Sequence, residues 1–251
     1  MRLAVMQPTY LPWVGYFDLI DQSDVLVLYD TVQFEKQSWQ QRNRIKTAQG
    51  PQWLTVPVHQ SLGQRIDAVR TNDGTAWRHK HWMALVTNYS KAPFWRDYAP
   101  MFEVAYGAKW ERLADLNIHL LTEMARAFGL KSNLIRASAL PEFPGRKEEP
   151  LLGLCEHFGA DAYLSPAGAR AYLTDDQAFR ARGMALEFHA YDHPTWPQLF
   201  GPFVSHLSAV DLLMHCGPAS ADVVRSGRQA PPRADVAPSS AGVNPLTTAS
   251  A

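Results

Sequence analysis

The chain has 251 residues, of which 46% are hydrophobic, so it can fill the core of one large α/β domain or of two small ones. Its 24 lysines and arginines balance 24 aspartates and glutamates, which excludes a global field that attracts nucleic acid or an anionic membrane. No stretch approaches the roughly 18 apolar residues of a membrane span, and the apolar run after Arg2 is too short for a signal-peptide core.

Strand-like and helical patterns alternate along the chain. Apolar runs at 3–6, 15–21, 25–29 and 53–58 come first, and helices are predicted at 77–89, 95–106 and 111–128. The last of these has apolar residues at spacings of three, four and seven and ends at Gly129. Strands and helices continue to alternate after this helix, with strands predicted at 133–137, 162–165 and 185–191 and helices at 148–158 and 167–182. The alternation predicts an α/β fold with a mainly parallel sheet flanked by helices, Rossmann-like and similar to nucleotidyltransferases.

The domain organisation is predicted from composition. Residues 1–225 are interpreted as a single α/β domain, in which 75–129 form either a helical cap over the site or ordinary core-packing helices. Residues 226–251 are rich in Pro, Ala, Ser, Thr and Gly and are predicted to form a disordered tail. Cys155 and Cys216 are interpreted as small buried hydrophobes, and their wide separation indicates a reducing, cytoplasmic setting.

The loop after the first strand is the first candidate for a functional site. Pro8 and Pro12 stiffen it, and Gly15 permits close backbone approach where a helix begins. Backbone amides at the start of a helix bind anions, so we expect an anion site here. The candidate ligand-facing side chains are Gln7, Tyr10, Trp13 and Tyr16. A purely structural role for the prolines and Trp13 is the alternative.

A second candidate group follows the second strand. Arginine forks pair with phosphate, lysine supplies a point charge, and amides with an aromatic plate orient a sugar or a base. This group comprises Asp30, Gln33, Lys36, Trp39, Arg42, Asn43, Arg44 and Lys46. Alternation on an extended segment would place Arg42, Arg44 and Lys46 on one face, where they bind a diphosphate. A solvated basic edge is the alternative reading.

The late loop at 192–198 supplies a histidine. His193 follows the last predicted strand, is stiffened by Pro194, and suits a general base near neutral pH. Packing or surface exposure is the alternative for a lone histidine. Farther on, Ser208 and Asp211 are interpreted as a helix-capping pair.

These segments resemble the WbqC-like protein family. The resemblance rests on the run Gln7-Pro8-x-Tyr10-Leu11-Pro12-Trp13-x-Gly15-Tyr16-Phe17, the segment from Asp30 to Lys46, the strand-like run 53–58, and the late residues His193, Pro194, Gln198 and 207–213. It extends from residue 1 to about residue 225. Members of the family are associated with bacterial O-antigen and other surface-polysaccharide clusters, so the resemblance implies a pathway.

The leading hypothesis is a transferase of surface-glycan biosynthesis that moves an acyl or aminoacyl group to an amino sugar on a nucleotide carrier. Its catalytic residues would be His193, Asp30 and Gln7, and Gln198 would join the substrate-binding set. The sequence contains no NAD, ATP or metal-site motif. We therefore expect no metal or bound cofactor, and an acyl thioester of CoA or of an acyl or peptidyl carrier protein as donor. Two alternatives remain: a nucleotidyltransferase or adenylating enzyme without the His-x-Gly-His motif, and a non-catalytic sugar-nucleotide-binding protein.

Overall fold

The computed structural model describes residues 1–171, 173 and 176–232. Its strands are β1 (Arg2–Met6), β2 (Val25–Leu28), β3 (Arg42–Thr47), β4 (Gly50–Thr55), β5 (Val58–His59), β6 (Arg70–Thr71), β7 (Asn133–Arg136), β8 (Ala162–Ser165) and β9 (Ala185–Phe188). Its helices are α1 (Val14–Asp21), α2 (Trp77–Tyr89), α3 (Trp95–Gly107), α4 (Leu113–Ala127), α5 (Glu149–Phe158), α6 (Gln177–Arg180), α7 (Val210–Cys216) and α8 (Ser220–Ser226). None of these helices is both long and apolar enough to cross a membrane.

A five-stranded parallel sheet organises the chain. Its strand order is β7-β2-β1-β8-β9, and every pair in it is parallel. The chain therefore moves outward from β1 on one side and then returns to the other side, as in doubly wound folds. The predicted α/β class with a parallel sheet flanked by helices is confirmed. The crevice between β1 and β8 is the point at which the winding reverses.

The sheet separates two hydrophobic cores. Leu3, Val5 and Val27 face the core formed with α5 and α6, whereas Ala4 and Leu26 face the core formed with α1 to α4. Alternate residues of a strand point to opposite faces, so one β1 or β2 sequence supplies both cores. A shift of one residue in register would exchange these faces, and this fixes the pairing of β1 with its neighbours.

Helices α2, α3 and α4 share the core of α1. Trp77, Phe102 and Leu120 are buried in that core, and α2 packs on α3 and α3 on α4. Residues 75–129 therefore pack as core helices. Helix α4 has its predicted stripe buried, and Gly129 adopts a φ of 70° directly after it, as predicted for a helix end.

Three predicted elements differ from the structure. The run 53–58 is not in the parallel sheet: β4 forms an antiparallel hairpin with β3, and β5 pairs with β6. Within the predicted helix at 167–182, the structure has a 3-10 turn at Ala167–Ala171 and the short α6, which begins after buried Asp176. The last strand ends at Phe188, before the predicted 191.

Ordered contacts continue past the predicted domain boundary at residue 225. Arg228 donates from Nε to Oδ1 of Asp18 at 2.9 Å, and Phe188 donates its backbone N–H to Pro232. Asp18 is fully buried and also contacts Nε2 of His189 at 2.8 Å. The segment 226–232 therefore belongs to the fold, and the predicted tail began too early. The remainder of that tail, 233–251, lies outside the described residues.

A chain that ends at Arg225 should be less stable than one that ends at Pro232. The shorter chain lacks Arg228, so the buried carboxylate of Asp18 loses its arginine partner. Because the Arg228 side chain is 33% exposed, we expect a loss of about 1 to 3 kcal/mol in the free energy of unfolding, less than for a fully buried pair. Urea titration of both chains measures the difference. Equal stabilities would show that this ion pair contributes nothing.

Candidate functional site

The loop after β1 is held by amide side chains. Gln7 accepts a hydrogen bond at Oε1 from Nε2 of Gln40 at 2.7 Å, and its backbone carbonyl accepts from the Tyr16 hydroxyl. Asn117 on α4 donates to the carbonyls of Pro8 and Gln40 at 3.2 and 2.7 Å. The loop is therefore tied both to the segment before β3 and to α4. Gln7 remains half-buried at the carboxyl end of β1.

Tyr10 is a core residue, which corrects its assignment to substrate binding. Its side chain is fully buried, and its hydroxyl contacts Nδ1 of His81 at 2.8 Å and the hydroxyl of Tyr106. Burial lowers the pKa of His81 to about 4, although a hydrogen bond to the Thr55 carbonyl acts in the opposite direction. The imidazole is therefore neutral in the folded protein at pH 7. The three side chains form a buried polar chain between the β1 loop, α2 and α3.

Tyr16 and Asn43 are also internal. Tyr16 is 2% exposed, and its hydroxyl is used by Gln7. Asn43 is 3% exposed and donates from Nδ2 to the carbonyl of Leu11 at 2.7 Å, while its Oδ1 accepts from the backbone N–H of Arg44. Both assignments to substrate binding are corrected, because no polar atom of either side chain faces solvent with its hydrogen bonds unmade.

Trp13 covers the start of α1, where the anion site was expected. Its indole lies over Gly15 so closely that a Cβ there would be 2.4 Å from two ring carbons. This contact gives Gly15 a packing role. The same indole stacks against His193 and His206, with ring centroids 6.0 and 5.5 Å apart. The indole therefore occupies the space over this turn.

Asp30 is buried at the end of β2. Its carboxylate accepts from Nε of Arg136, from the backbone N–H of Ser138 at 2.9 Å and from the Ser138 hydroxyl at 2.8 Å. Arg136 also pairs with Asp115 on α4. Asp30 therefore joins β2 to the end of β7. Among the described residues, none of the side-chain hydrogen-bond partners of Asp30 also bonds to the imidazole of His193.

The outer face of the β3–β4 hairpin carries an aromatic–arginine surface, defined by Trp39, Arg42, Arg44 and Trp53. Arg44 pairs with Trp53 in the hairpin register. The guanidinium carbons of Arg42 and Arg44 lie 4.4 and 5.5 Å from the Trp53 ring centroid, and the Trp39 and Trp53 rings are 5.5 Å apart. Trp39 and Trp53 are 49% and 44% exposed, whereas the other six tryptophans are buried or half-buried. Two exposed indoles thus adjoin two guanidinium groups.

The arginines of this surface differ from most others in the protein. Ten other arginines have a carboxylate within 4 Å. Across the described part of the chain, neither Arg42 nor Arg44 has such a partner, and Nε of Arg44 is buried without a hydrogen-bond partner. The Arg44 side chain donates from Nη2 to the His206 carbonyl at 3.4 Å. No ion pair with another described residue therefore neutralises their charge.

Lys46 does not join this surface, although alternation placed it there. Its side chain is buried at 2% exposure, and Nζ donates to the carbonyls of Pro202 and Gly201 at 2.6 and 3.3 Å. Loop 198–206 covers this end of β3. Lys46 holds that loop in place, and its ammonium group is therefore not free to bind a diphosphate. Gln33 is exposed and forms an isolated bridge with Arg65, and Lys36 lines a separate groove.

Both ring nitrogens of His193 are occupied. Nδ1 lies 2.7 Å from the Pro194 carbonyl, and Nε2 accepts the backbone N–H of His206 at 3.0 Å. Because a carbonyl only accepts, Nδ1 carries the proton and Nε2 supplies the lone pair. Burial lowers the pKa of His193, which favours this neutral form. His193 could act as a base only after releasing the His206 amide.

The remaining late candidates are structural. Gln198 closes its loop by donating to and accepting from the backbone of Val204 at 3.1 and 2.9 Å. Ser208 Oγ accepts from the N–H of Val210 at 3.3 Å, but α7 is preceded by Ala209 and begins without a side-chain capping bond. Buried Asp211 accepts from Trp196 Nε1 and the Tyr89 hydroxyl, so the interpretation of Ser208 and Asp211 as a capping pair is corrected.

Both cysteine thiols are less acidic than a free thiol. Burial raises the pKa of the Cys155 thiol to about 12 and raises that of Cys216. Within the described ranges, no group of three His, Cys, Asp or Glu residues is placed to hold a metal ion.

Comparisons with known proteins agree with the family resemblance. The model of the WbqC-like protein family matches residues 7–223. The chain belongs to the WbqC-like protein family. A relative, the uncharacterized protein Rv1507c of Mycobacterium tuberculosis (strain ATCC 25618 / H37Rv), is 36% identical over 232 residues, which cover 91% of this chain and 99% of the relative. No solved structure matches the chain.

The match to the WbqC-like family includes both neighbourhoods described above. One contains Gln7, the buried amides and the Tyr10 chain, and the other contains the aromatic–arginine surface with His206 and His193. Sequence reasoning missed Trp53, which it treated only as strand, and His206, which it did not consider. Trp53 could have been found because the extended run that contains it follows closely on the extended run that contains Arg42 and Arg44, as in a hairpin.

The buried chain of Tyr10, His81 and Tyr106 makes a pH prediction for this WbqC-like protein. The folded-state pKa of His81, about 4, lies below its unfolded value of about 6.5. Stability from the neutral imidazole is therefore complete above pH 6.5 and is lost as the pH falls toward 4. Between pH 7 and pH 4, we expect the wild type to lose about 2 to 3 kcal/mol more than His81→Gln, which can keep both hydrogen bonds. Urea titrations at several pH values measure this. Parallel pH curves for the two proteins would contradict the assignment.

Proposed function

We propose that this WbqC-like protein binds a nucleotide-linked sugar of bacterial surface-glycan biosynthesis on its aromatic–arginine surface. The observation that carries the proposal is the exposed pair Trp39 and Trp53 beside Arg42 and Arg44, which have no carboxylate partners among the described residues. The family's association with surface-polysaccharide clusters supplies the pathway.

The chemistry of the surface fits such a ligand. An indole face packs against the C–H groups of a sugar ring or against a base, and a planar guanidinium donates two parallel hydrogen bonds to a phosphate. Arg42 lies over Trp53 and is thereby oriented before a ligand arrives, which reduces the entropy lost on binding. Leaving two indoles nearly half exposed forgoes hydrophobic stabilisation, on the order of 1 kcal/mol for each. A ligand that covers the indoles would recover that stabilisation.

Removal of one charge or one aromatic ring should weaken binding without unfolding the protein. We expect Arg42→Ala and Trp53→Ala each to weaken binding of a sugar 1-phosphate by about 1 to 3 kcal/mol, because each removes a charge-assisted hydrogen bond or a stacking face. Isothermal titration calorimetry with N-acetylglucosamine 1-phosphate measures this, and thermal melting checks the fold. Arg126→Ala is the matched control, because that arginine is exposed and pairs with Glu123 on α4. Affinities equal to wild type in both variants would overturn the proposal.

Acyl or aminoacyl transfer to the amine of the bound sugar is the second candidate function. The observation that favours it is the position of His193, whose imidazole contacts His206 with ring centroids 4.7 Å apart, while the His206 carbonyl accepts from Arg44. The amine would attack the carbonyl carbon of an acyl thioester, an amide C–N bond would form, and the C–S bond would break. Nε2 of His193 would take the amine proton and pass it to the departing thiolate. This requires the His206 amide to leave Nε2 first.

The transfer candidate has its own experiment. The protein is incubated with a nucleotide-linked amino sugar and an acyl-CoA, and mass spectrometry follows loss of the amine and appearance of the amide. We expect His193→Ala to lower kcat by about 10² to 10⁴ while KM changes little, as for loss of a general base. Turnover that survives in His193→Ala would remove the histidine from the mechanism. Turnover that requires ATP or CTP with Mg²⁺ and no thioester would identify nucleotidyl transfer instead.

A further inference from the structure

A polar groove is lined in part by Lys36 and Gln41, the ends of the short loop that also carries Trp39 of the aromatic–arginine surface. It has a volume of about 640 Å³ and is lined by residues of the 36–41 loop, the 57–61 segment, Gln64 and Arg70. This volume falls within the range of pockets that hold small organic ligands. Pro57 and Val58 supply apolar surface, and Lys36, His59 and Arg70 supply the ionisable groups.

The charge in the groove has one sign. None of its lining residues is an aspartate or a glutamate. Arg70 pairs with Glu111, an exposed contact, whereas Lys36 has no ion pair or hydrogen bond with the rest of the described chain. Lys36 is therefore a free ammonium over an open polar space, as a phosphate-binding lysine requires.

Two walls of the groove are already fixed by hydrogen bonds. Gln41 is 5% exposed, donates from Nε2 to the Val56 carbonyl at 3.2 Å and accepts the Gln37 N–H at Oε1 at 2.9 Å. Gln64 donates to the Ala68 carbonyl at 2.8 Å and accepts the Ser61 N–H at 2.9 Å. These amides hold the loop that carries Lys36 and the turn opposite it. A ligand therefore meets a largely preformed groove.

The groove is continuous along the chain with the aromatic–arginine surface. Gln41 lines the groove and directly precedes Arg42, and Lys36 lies on the same short loop as Trp39. On the facing strand, Thr55 pairs with Arg42, and Pro57 lines the groove two residues later. Two residues of a strand span about 7 Å, which is short compared with the length of a nucleotide-linked sugar.

We propose that this groove binds the nucleoside-diphosphate half of the ligand, with Lys36 on the phosphates, while the sugar half lies on Trp39 and Trp53. The inference rests on the proposed function and specifies its substrate class: a sugar linked to a nucleoside diphosphate, and not a free sugar phosphate. The groove and the aromatic–arginine surface would then each contribute part of the binding free energy of the intact sugar nucleotide.

Calorimetry with separate fragments of the ligand tests this division. Wild type, Lys36→Ala and Trp53→Ala are titrated with uridine diphosphate, N-acetylglucosamine 1-phosphate and the intact UDP-linked sugar. Lys36→Ala should weaken binding of the diphosphate and of the intact sugar nucleotide about tenfold and leave the sugar phosphate unchanged. Trp53→Ala should weaken the sugar phosphate and the intact ligand and leave the diphosphate unchanged. Lys80→Ala, an exposed lysine on α2, is the matched control.

The outcomes separate the two proposals. If the intact ligand binds no more tightly than the sugar phosphate, or if Lys36→Ala behaves as wild type, the groove proposal is overturned while the sugar site stands. If the diphosphate binds through Lys36 but the sugar phosphate does not bind, the proposed sugar site is the one that fails. Inorganic pyrophosphate and the diphosphates of guanosine, cytidine and thymidine complete the series. Pyrophosphate binding as tight as every nucleotide would reduce the groove to an anion site and overturn its nucleoside role.

Discussion

The buried loop after β1 imposes the constraint on which the rest of the site depends, because its carbonyl groups need hydrogen-bond donors. An unpaired buried carbonyl costs about 1 to 3 kcal/mol. The carbonyls of Pro8, Leu11 and Pro12 are satisfied by Asn117 of α4, Asn43 of β3 and the backbone of Ala209 before α7. Each donor comes from a different part of the chain. The loop thus fixes the positions of α4, β3 and α7 around the central strand.

The direction in which the Asn43 side chain points determines the direction of the side chains next to it on β3. Since Asn43 points inward to the loop, Arg42 and Arg44 point outward on the opposite face of the strand. There they meet Trp53, which the hairpin register places opposite Arg44. The outward surface is therefore a consequence of an inward hydrogen bond. The network that stabilises the core loop also presents the two arginines to solvent.

The distribution of charge distinguishes structural from available groups. The chain is neutral overall, and most of its arginines are paired with carboxylates, as Arg136 is with buried Asp30 and Arg228 with buried Asp18. Such pairs connect strands and helices and leave little charge for a ligand. Arg42, Arg44 and Lys36 are different because the described chain offers them no carboxylate. A neutral protein can in this way hold a local cationic surface suited to phosphate.

The sequence by itself determined the parallel α/β class, most of the helices and strands, and the family, because these depend on local periodicity and on residue order. It also identified Arg42, Arg44 and Trp39 as ligand candidates, and these three lie together on the outer face of the β3–β4 hairpin. It could not determine that Tyr10, Asn43 and Lys46 are buried, because the groups that cover them are distant in sequence: His81 and Tyr106, the Leu11 carbonyl, and loop 201–202.

Trp53 could have been found by counting back from a two-residue turn at Ala48 and Gln49, which places it opposite Arg44. Only the tertiary structure shows that the Nε2 lone pair of His193 is already used, because the backbone amide that donates to it belongs to His206, thirteen residues later. Periodicity reports which face of an element is apolar, but hydrogen-bond partners across the fold decide which polar side chains remain free.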